Sequence, residues 1–232
     1  MSYRPHIVIT REKKMPGEER LNWEFSHHDF IQKTIEIPAH LDSWDIAPSI
    51  VLTSKMGVQA FIEMINCFSL KKSNFSIFCI AGATKDLALR SGLMVTGTAS
   101  DAQALAHEIL KHPTIKIITH VAGNLRRNEL AQTLRNAGVE IKELIVYRTE
   151  LTPILITRPF DGIVFFSPSA VDSFLLKNPV SNAPCFCIGQ TTSHYARQKD
   201  FGVIYTCEAP TEEAMLSLLN DYFLKSTAHA QK

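Results

Sequence analysis

Two stretches decide how this chain folds: Ile50-Val-Leu-Thr-Ser-Lys-Met-Gly-Val-Gln-Ala-Phe61 and Ile163-Val-Phe-Phe-Ser-Pro-Ser-Ala-Val-Asp-Ser-Phe174. Laid over one another they share Ile, Val, Ser, Val and Phe, and Gly57 faces Ala170. Each opens as an apolar run of strand length, turns at a serine and continues with apolar residues at helical spacing. A second matched pair follows in the same order at nearly the same offset: Phe78-Cys-Ile-Ala-Gly-Ala-Thr84 and Phe186-Cys-Ile-Gly-Gln-Thr-Thr192. Any two strand-helix units agree at apolar positions. Here the polar Ser/Thr positions agree as well, which points to an internal repeat.

Outward from these stretches, short apolar runs alternate with helical-period segments. The pattern predicts strands at His6–Thr10, Thr34–Ile37, Ser49–Thr53, Ser76–Ala81, Leu93–Thr96, Ile115–Thr119, Glu140–Tyr147, Gly162–Phe166, Cys185–Ile188 and Val203–Tyr205. Helices are predicted at Gly57–Asn66, Ala99–Lys111, Arg126–Ala137, Ala170–Leu176, Thr192–Lys199 and Thr211–Leu224. Such alternation belongs to an α/β chain whose parallel sheets are flanked by helices. Gly138 suits a helix C-cap, and Thr211 before Glu212 and Glu213 suits an N-cap.

A length of 232 residues accommodates two compact domains of about 100 residues each. With 45% hydrophobic and 20% charged residues the composition is that of a folded globular chain, with fraying expected only in the tail Ser226–Lys232. A net charge of +1 provides no field for nucleic acid, and no apolar run has the length of a membrane span. No secretory core follows Met1, and the cysteines, Cys67, Cys79, Cys185, Cys187 and Cys207, are odd in number and mostly in apolar surroundings. A cytoplasmic protein with reduced thiols is expected.

The first strand complicates a plain tandem repeat. If both domains share one architecture, the N-terminal strands belong with the C-terminal group. The expected organisation is then a discontinuous first domain, residues 1–38 and 150–232, with a second α/β domain, residues 41–147, inserted into it. Pro38-Ala-His40 and Thr149–Pro153 would be the crossing linkers.

Thr53-Ser54, Thr84, Ser167-Pro168-Ser169 and Thr191-Thr192 stand where a strand ends and a helix begins. Ligands of open parallel sheets bind outside the carboxyl ends of the strands, where helix N-termini offer unpaired N–H groups to anions. The same residues suit plain helix caps, each worth about 1 kcal/mol. Both roles stay open, and one does not preclude the other. Gly123-Asn124-Leu125-Arg126 is a further turn of this kind, in which Arg126 could clamp a carboxylate. Arg11 and Lys55 could add charge nearby or be ordinary solvated side chains. Tyr147 could present a phenolic donor or simply pack its ring. No dinucleotide fingerprint, P-loop, zinc-protease motif or nucleophile elbow is present. His27-His28-Asp29 is too dense to converge on one ion and is expected in a solvated loop, so no metal site is anticipated.

Taken in order, the motifs resemble those of the uroporphyrinogen-III synthase family over essentially the whole chain. Thr10-Arg11 resembles the family's first strand end, and Leu52-Thr53-Ser54 with Gly57-Val58 its Thr-Ser turn. Gly123-Asn124-Leu125-Arg126 resembles its Gly-Asn-x-x-Arg turn and Val146-Tyr147-Arg148-Thr149 its Val-Tyr-x-Thr strand end. Phe165–Val171, Ile188-Gly189-Gln190-Thr191-Thr192 and Ala209-Pro210-Thr211 resemble signatures of its C-terminal part. Two departures stand out. Ala81 occupies a position that is usually glycine, with Gly82 displaced by one, and Lys13–Phe30 lacks the expected first helix.

The resemblance implies two α/β domains joined by a two-stranded connection. It also implies closure of linear hydroxymethylbilane to uroporphyrinogen III, with loss of water and inversion of the last pyrrole ring, in heme biosynthesis. No cofactor or metal is implied, and the partner is a small-molecule linear tetrapyrrole bound by a monomer, with no nucleic acid or membrane. The implied substrate contacts are Arg11, Thr53, Ser54, Thr84, Gly123, Asn124, Arg126, Ser167, Ser169, Gly189, Thr191 and Thr192, with Tyr147 the candidate catalytic group. The competing expectation is a non-catalytic sensor that binds a polycarboxylate in the same cleft.

Overall fold

The computed structural model describes residues 4–41, 46–126 and 128–229, with side chains to 224. In chain order the strands and helices are β1 (His6–Ile9), β2 (Glu24–His27), β3 (Ile31–Ile35), β4 (Ser49–Leu52), α1 (Lys55–Cys67), β5 (Ser76–Ile80), α2 (Ala83–Arg90), β6 (Val95–Ala99) and α3 (Ala102–Leu110). They continue with β7 (Ile117–Gly123), α4 (Glu129–Asn136), β8 (Glu140–Leu151), β9 (Gly162–Phe165), α5 (Pro168–Leu175), β10 (Cys185–Cys187), α6 (Gln190–Gln198), β11 (Ile204–Thr206) and α7 (Glu212–His229). They form two compact units, Met1–Gln32 with Glu150–Lys232 and Lys33–Thr149, called here the split unit and the continuous unit.

The split unit holds a five-stranded sheet in the order β11-β10-β9-β1-β2, every neighbouring pair parallel. Its central strands are apolar throughout because both faces are covered. On one face Val8, Ile163, Phe165, Cys185 and Cys187 pack with Phe174 and Ala196 from α5 and α6. On the other, Ile7, Ile9, Val164 and Phe186 pack with Met215, Leu219 and Phe223 of α7. Successive residues of one strand therefore serve opposite cores.

A six-stranded sheet, β3-β8-β7-β4-β5-β6, contains the strands of the continuous unit, and β4 to β8 pair in parallel. Ile50, Leu52, Ile77 and Cys79 face Val58, Phe61 and Met64 of α1. Val51, Phe78 and Ile118 face Leu105 and Ile109 of α3 and Leu130 and Leu134 of α4. The expected fold, parallel sheets flanked by helices, is the one observed.

Several elements differ from the sequence expectation. Strand β2 falls in Lys13–Phe30, where apolar periodicity is weak. It is an edge strand whose residues are exposed or half-buried, so it needs no apolar run. His27 lies in that strand and not in a solvated loop, its side chain 12% exposed and its Nε2 2.8 Å from Glu18 Oε2. A partner nine positions earlier is what allows the burial. Helix α2 adds a turn structure after β5 that the repeat implied without delimiting. Strand β6 starts two residues late because Gly92, at φ 74°, reverses the chain and Leu93 enters the core first. Helix α7 continues past Leu224 to His229, while residues 230–232 of the predicted frayed tail lie outside the described residues.

Candidate functional site

The strands of the split unit's sheet are parallel, as are β4 to β8, so within each set the carboxyl ends share one edge, and the Ser/Thr turns follow from there. In the continuous unit Ser54 follows β4 and caps α1: its Oγ accepts from Gly57 N at 3.1 Å. The same oxygen lies 3.0 Å from the hydroxyl of Tyr147, in the second half of β8. Capping and contact with the candidate catalytic group thus coincide at one atom. Gly57 packs closely here, since a Cβ would approach Val121 O to 3.1 Å, a tight contact.

Tyr147 is held from β7. Gly123 sits opposite it in the parallel register, and a Cβ at Gly123 would fall 2.2 Å from the tyrosine ring. Asn124 N donates to Tyr147 O at 3.2 Å. The Asn124 side chain accepts from Thr149 N at 2.7 Å and donates to Thr149 O at 3.2 Å. The Gly-Asn turn therefore clamps the stretch of β8 that carries Tyr147, a structural job that the reading of the turn as a ligand contact did not include.

Beneath this edge lies a polar row. His120, 2% exposed on β7, has Nε2 3.5 Å from Thr53 Oγ1, and its Nδ1 is buried without a hydrogen-bond partner among the described residues. Burial pushes its imidazole down to about 4; Glu143 opposes the shift and Arg126 adds to it. Glu143, opposite His120 in the strand register, pairs with Arg126 and, at 3.1 Å, with Arg135 of α4. Burial works to raise the Glu143 carboxyl, but the two arginines outweigh it and hold it below its usual range. Thr84, buried in the first turn of α2, stands behind Gly82, which begins the helix at φ 74°. Glycine has merely moved one place from Ala81, and the turn still forms.

In the split unit Arg11 follows β1. Its guanidinium carbon lies 3.9 Å from the centre of the Phe166 ring, and Nη2 is 2.9 Å from Glu212 Oε1. Ser167 caps α5 by accepting from Ala170 N at 3.3 Å, and its Oγ lies 3.1 Å from Ser169 Oγ. Gly189 takes the cap position of α6, with Thr191 exposed and Thr192 buried in the first turn. The structure thus brings Ser54, Gly123, Asn124 and Tyr147 into one set of contacts, and Thr53, Thr84 and Arg126 lie in the same unit. Arg11, Ser167, Ser169, Gly189, Thr191 and Thr192 follow strand ends of the other.

Sequence reasoning missed His120, Glu143, Arg135, Glu212 and the Glu18–His27 pair. His120, Glu143, Arg135 and Glu18 stand in no quoted motif, while Glu212 and His27 were quoted only as a first-turn acid and as part of an expected solvated loop, without their partners. The one available signal was that Glu143 lies four residues before Tyr147 in a predicted strand. Among the described residues no group of three or more His, Cys, Asp or Glu side chains could hold a metal ion, and no helix is long and apolar enough to cross a membrane.

Comparison with known proteins extends the picture. The sequence profile of uroporphyrinogen-III synthase HemD matches residues 24–217. No curated protein matches the sequence. Among solved structures, uroporphyrinogen-III synthetase from Helicobacter pylori aligns with a TM-score of 0.70 at 17% identity, covering 94% of this chain and 99% of the other. A mutant uroporphyrinogen III synthase from Thermus thermophilus aligns with a TM-score of 0.71 at 15% identity, covering 95% and 99%. At such identities these likenesses speak for the fold, while the profile match spans most of the chain. The chain belongs to the uroporphyrinogen-III synthase HemD family.

Proposed function

We propose that this protein is the lyase that closes hydroxymethylbilane to uroporphyrinogen III in heme biosynthesis, acting as a cytoplasmic monomer without a cofactor. The observation that carries this reading is the family match across residues 24–217. The substrate has eight carboxylates, and local donors at the strand ends suit it despite a net charge of only +1. Our assignment of contacts is Arg11, Thr53, Ser54, Thr84, Gly123, Asn124, Arg126, Ser167, Ser169, Gly189, Thr191 and Thr192. We also propose residues 41–147 as the inserted domain.

In this reading the Tyr147 hydroxyl gives its proton to the departing hydroxyl of the substrate, the carbon–oxygen bond breaks and water leaves. Ser54, 3.0 Å away, orients that hydroxyl. The resulting azafulvene closes readily by itself to the wrong isomer. The protein's main task is therefore to hold the chain so that attack occurs at the substituted carbon of the last ring, through a spiro intermediate. That is catalysis by orientation. It accounts for a site rich in hydrogen-bond donors and poor in nucleophiles.

The test supplies hydroxymethylbilane and measures the ratio of type III to type I uroporphyrinogen. A large type III excess is expected. An unchanged type I excess at high protein concentration would sink the enzyme.

A further inference from the structure

We propose that Glu143 and Glu212 are positioning residues, each holding a strand-end arginine, Arg126 or Arg11, in the orientation that receives a substrate carboxylate. The inference rests on the reading of those arginines as substrate contacts and deepens it.

The two units reach the same arrangement from different elements. In the continuous unit Glu143 projects from β8. Its Oε1 is taken by Arg135 from α4 at 3.1 Å and its Oε2 by Arg126. Two guanidinium groups share one carboxylate, so the group keeps a net positive charge. The bond from Arg135 leaves Glu143 little freedom to swing away. Arg126 Nε is buried and has no hydrogen-bond partner among the described residues, so the guanidinium's donors are not all used. In the split unit Glu212 projects from the first turn of α7 to Arg11 Nη2 at 2.9 Å, and Phe166 stacks under the guanidinium. Nε and Nη2 of Arg11 are likewise buried without a well-directed hydrogen bond.

These pairs are half-buried, with side chains between 16% and 29% accessible, so desolvation offsets part of the attraction within each. Their larger effect is on order. A free arginine side chain loses much rotamer freedom when it grips a ligand, and a carboxylate that fixes it beforehand removes part of that cost. Both arginines stand just beyond a strand's carboxyl end, where an anion would arrive. The arrangement could also work the other way, with the glutamate competing against the substrate for the arginine. The two possibilities predict opposite signs.

The experiment measures KM and kcat for type III formation, with thermal midpoints, in wild type, Glu143→Gln, Arg126→Gln and their double variant, and in Glu212→Gln. Glutamine keeps the size and removes the charge. Each glutamate variant is expected to raise KM about three- to tenfold with kcat little changed. In the Arg126→Gln background, Glu143→Gln is expected to add nothing further, because it acts through that arginine. A KM unchanged or lowered in both glutamate variants, or fully additive effects in the double variant, would overturn the proposal; a shifted midpoint with unchanged KM would mark a purely structural pair. Should Glu143→Gln fold poorly, Glu212→Gln carries the test from the other unit. A wild-type protein that forms no type III product would remove the functional reading, and this inference with it, a result distinct from an active enzyme with unaltered KM.

Discussion

Gly123 gives the clearest view of how single residues shape the site. A methyl group there would fall 2.2 Å from the Tyr147 ring, which cannot be accommodated without moving the ring. Gly123→Ala is therefore expected to displace Tyr147 from Ser54, to cut type III formation strongly and to cost about 1–3 kcal/mol in thermal or chemical denaturation. Tyr147→Phe should separate chemistry from packing: it keeps the ring and removes the hydroxyl. Its rate of type III formation is expected to fall by about 10²-fold while its unfolding midpoint stays near wild type. Full retained activity would take Tyr147 out of the mechanism. His120 belongs to stability and not to the proposed reaction. Its imidazole is held neutral, near 4 instead of the ordinary 6.5, so folding favours the deprotonated form. The stability that follows is fully present above about pH 6.5 and is lost as pH falls toward 4, by about 3 kcal/mol from this group. Denaturation of wild type and His120→Gln across that window checks it; the variant should show a shallower pH dependence. Tyr147, Ser54 and Gly123 were legible as motif residues. Their mutual contact was not, because it depends on which strand lies beside which.

Among the elements, strands buried on both faces were the easiest to read. Ile50–Leu52 and Ile163–Phe165 serve a core above and a core below, so their sequences are apolar without alternation. Helix α5 contributes Phe174, 1% exposed, in edge contact with Phe165 at 5.7 Å and tilted against Phe30 at 5.8 Å. Phe174→Ala is expected to destabilise by about 3–5 kcal/mol, read from the denaturation midpoint, because a cavity replaces a ring in the centre of that cluster. Strand β2 escaped notice for the opposite reason. At a sheet edge the strand is held by backbone hydrogen bonds to β1, with little apolar burial, and its period carries almost no signal. The extension of β8 to Leu151 escaped as well, since Arg148 and Glu150 are exposed and look like a linker.

For the whole molecule, the apolar clusters divide along the same line as the contacts. Two belong to residues 33–149 and two to the remainder. A fragment spanning 33–149 contains a complete core on each face of its parallel strands and is expected to unfold cooperatively when expressed alone, as followed by circular dichroism on heating. A broad, non-cooperative melt would show that it depends on the rest of the chain. The duplicated strand-turn-helix stretches, the order of the motifs and the absence of bulk charge were all determined by the sequence itself, because hydrophobic periodicity and turn chemistry are local properties. Which side chains meet was decided only by the tertiary structure. Tyr147 against Ser54, Glu143 between Arg126 and Arg135, and Arg11 between Phe166 and Glu212 are contacts across many residues of chain. They are set by sheet register and helix packing, which no local pattern records.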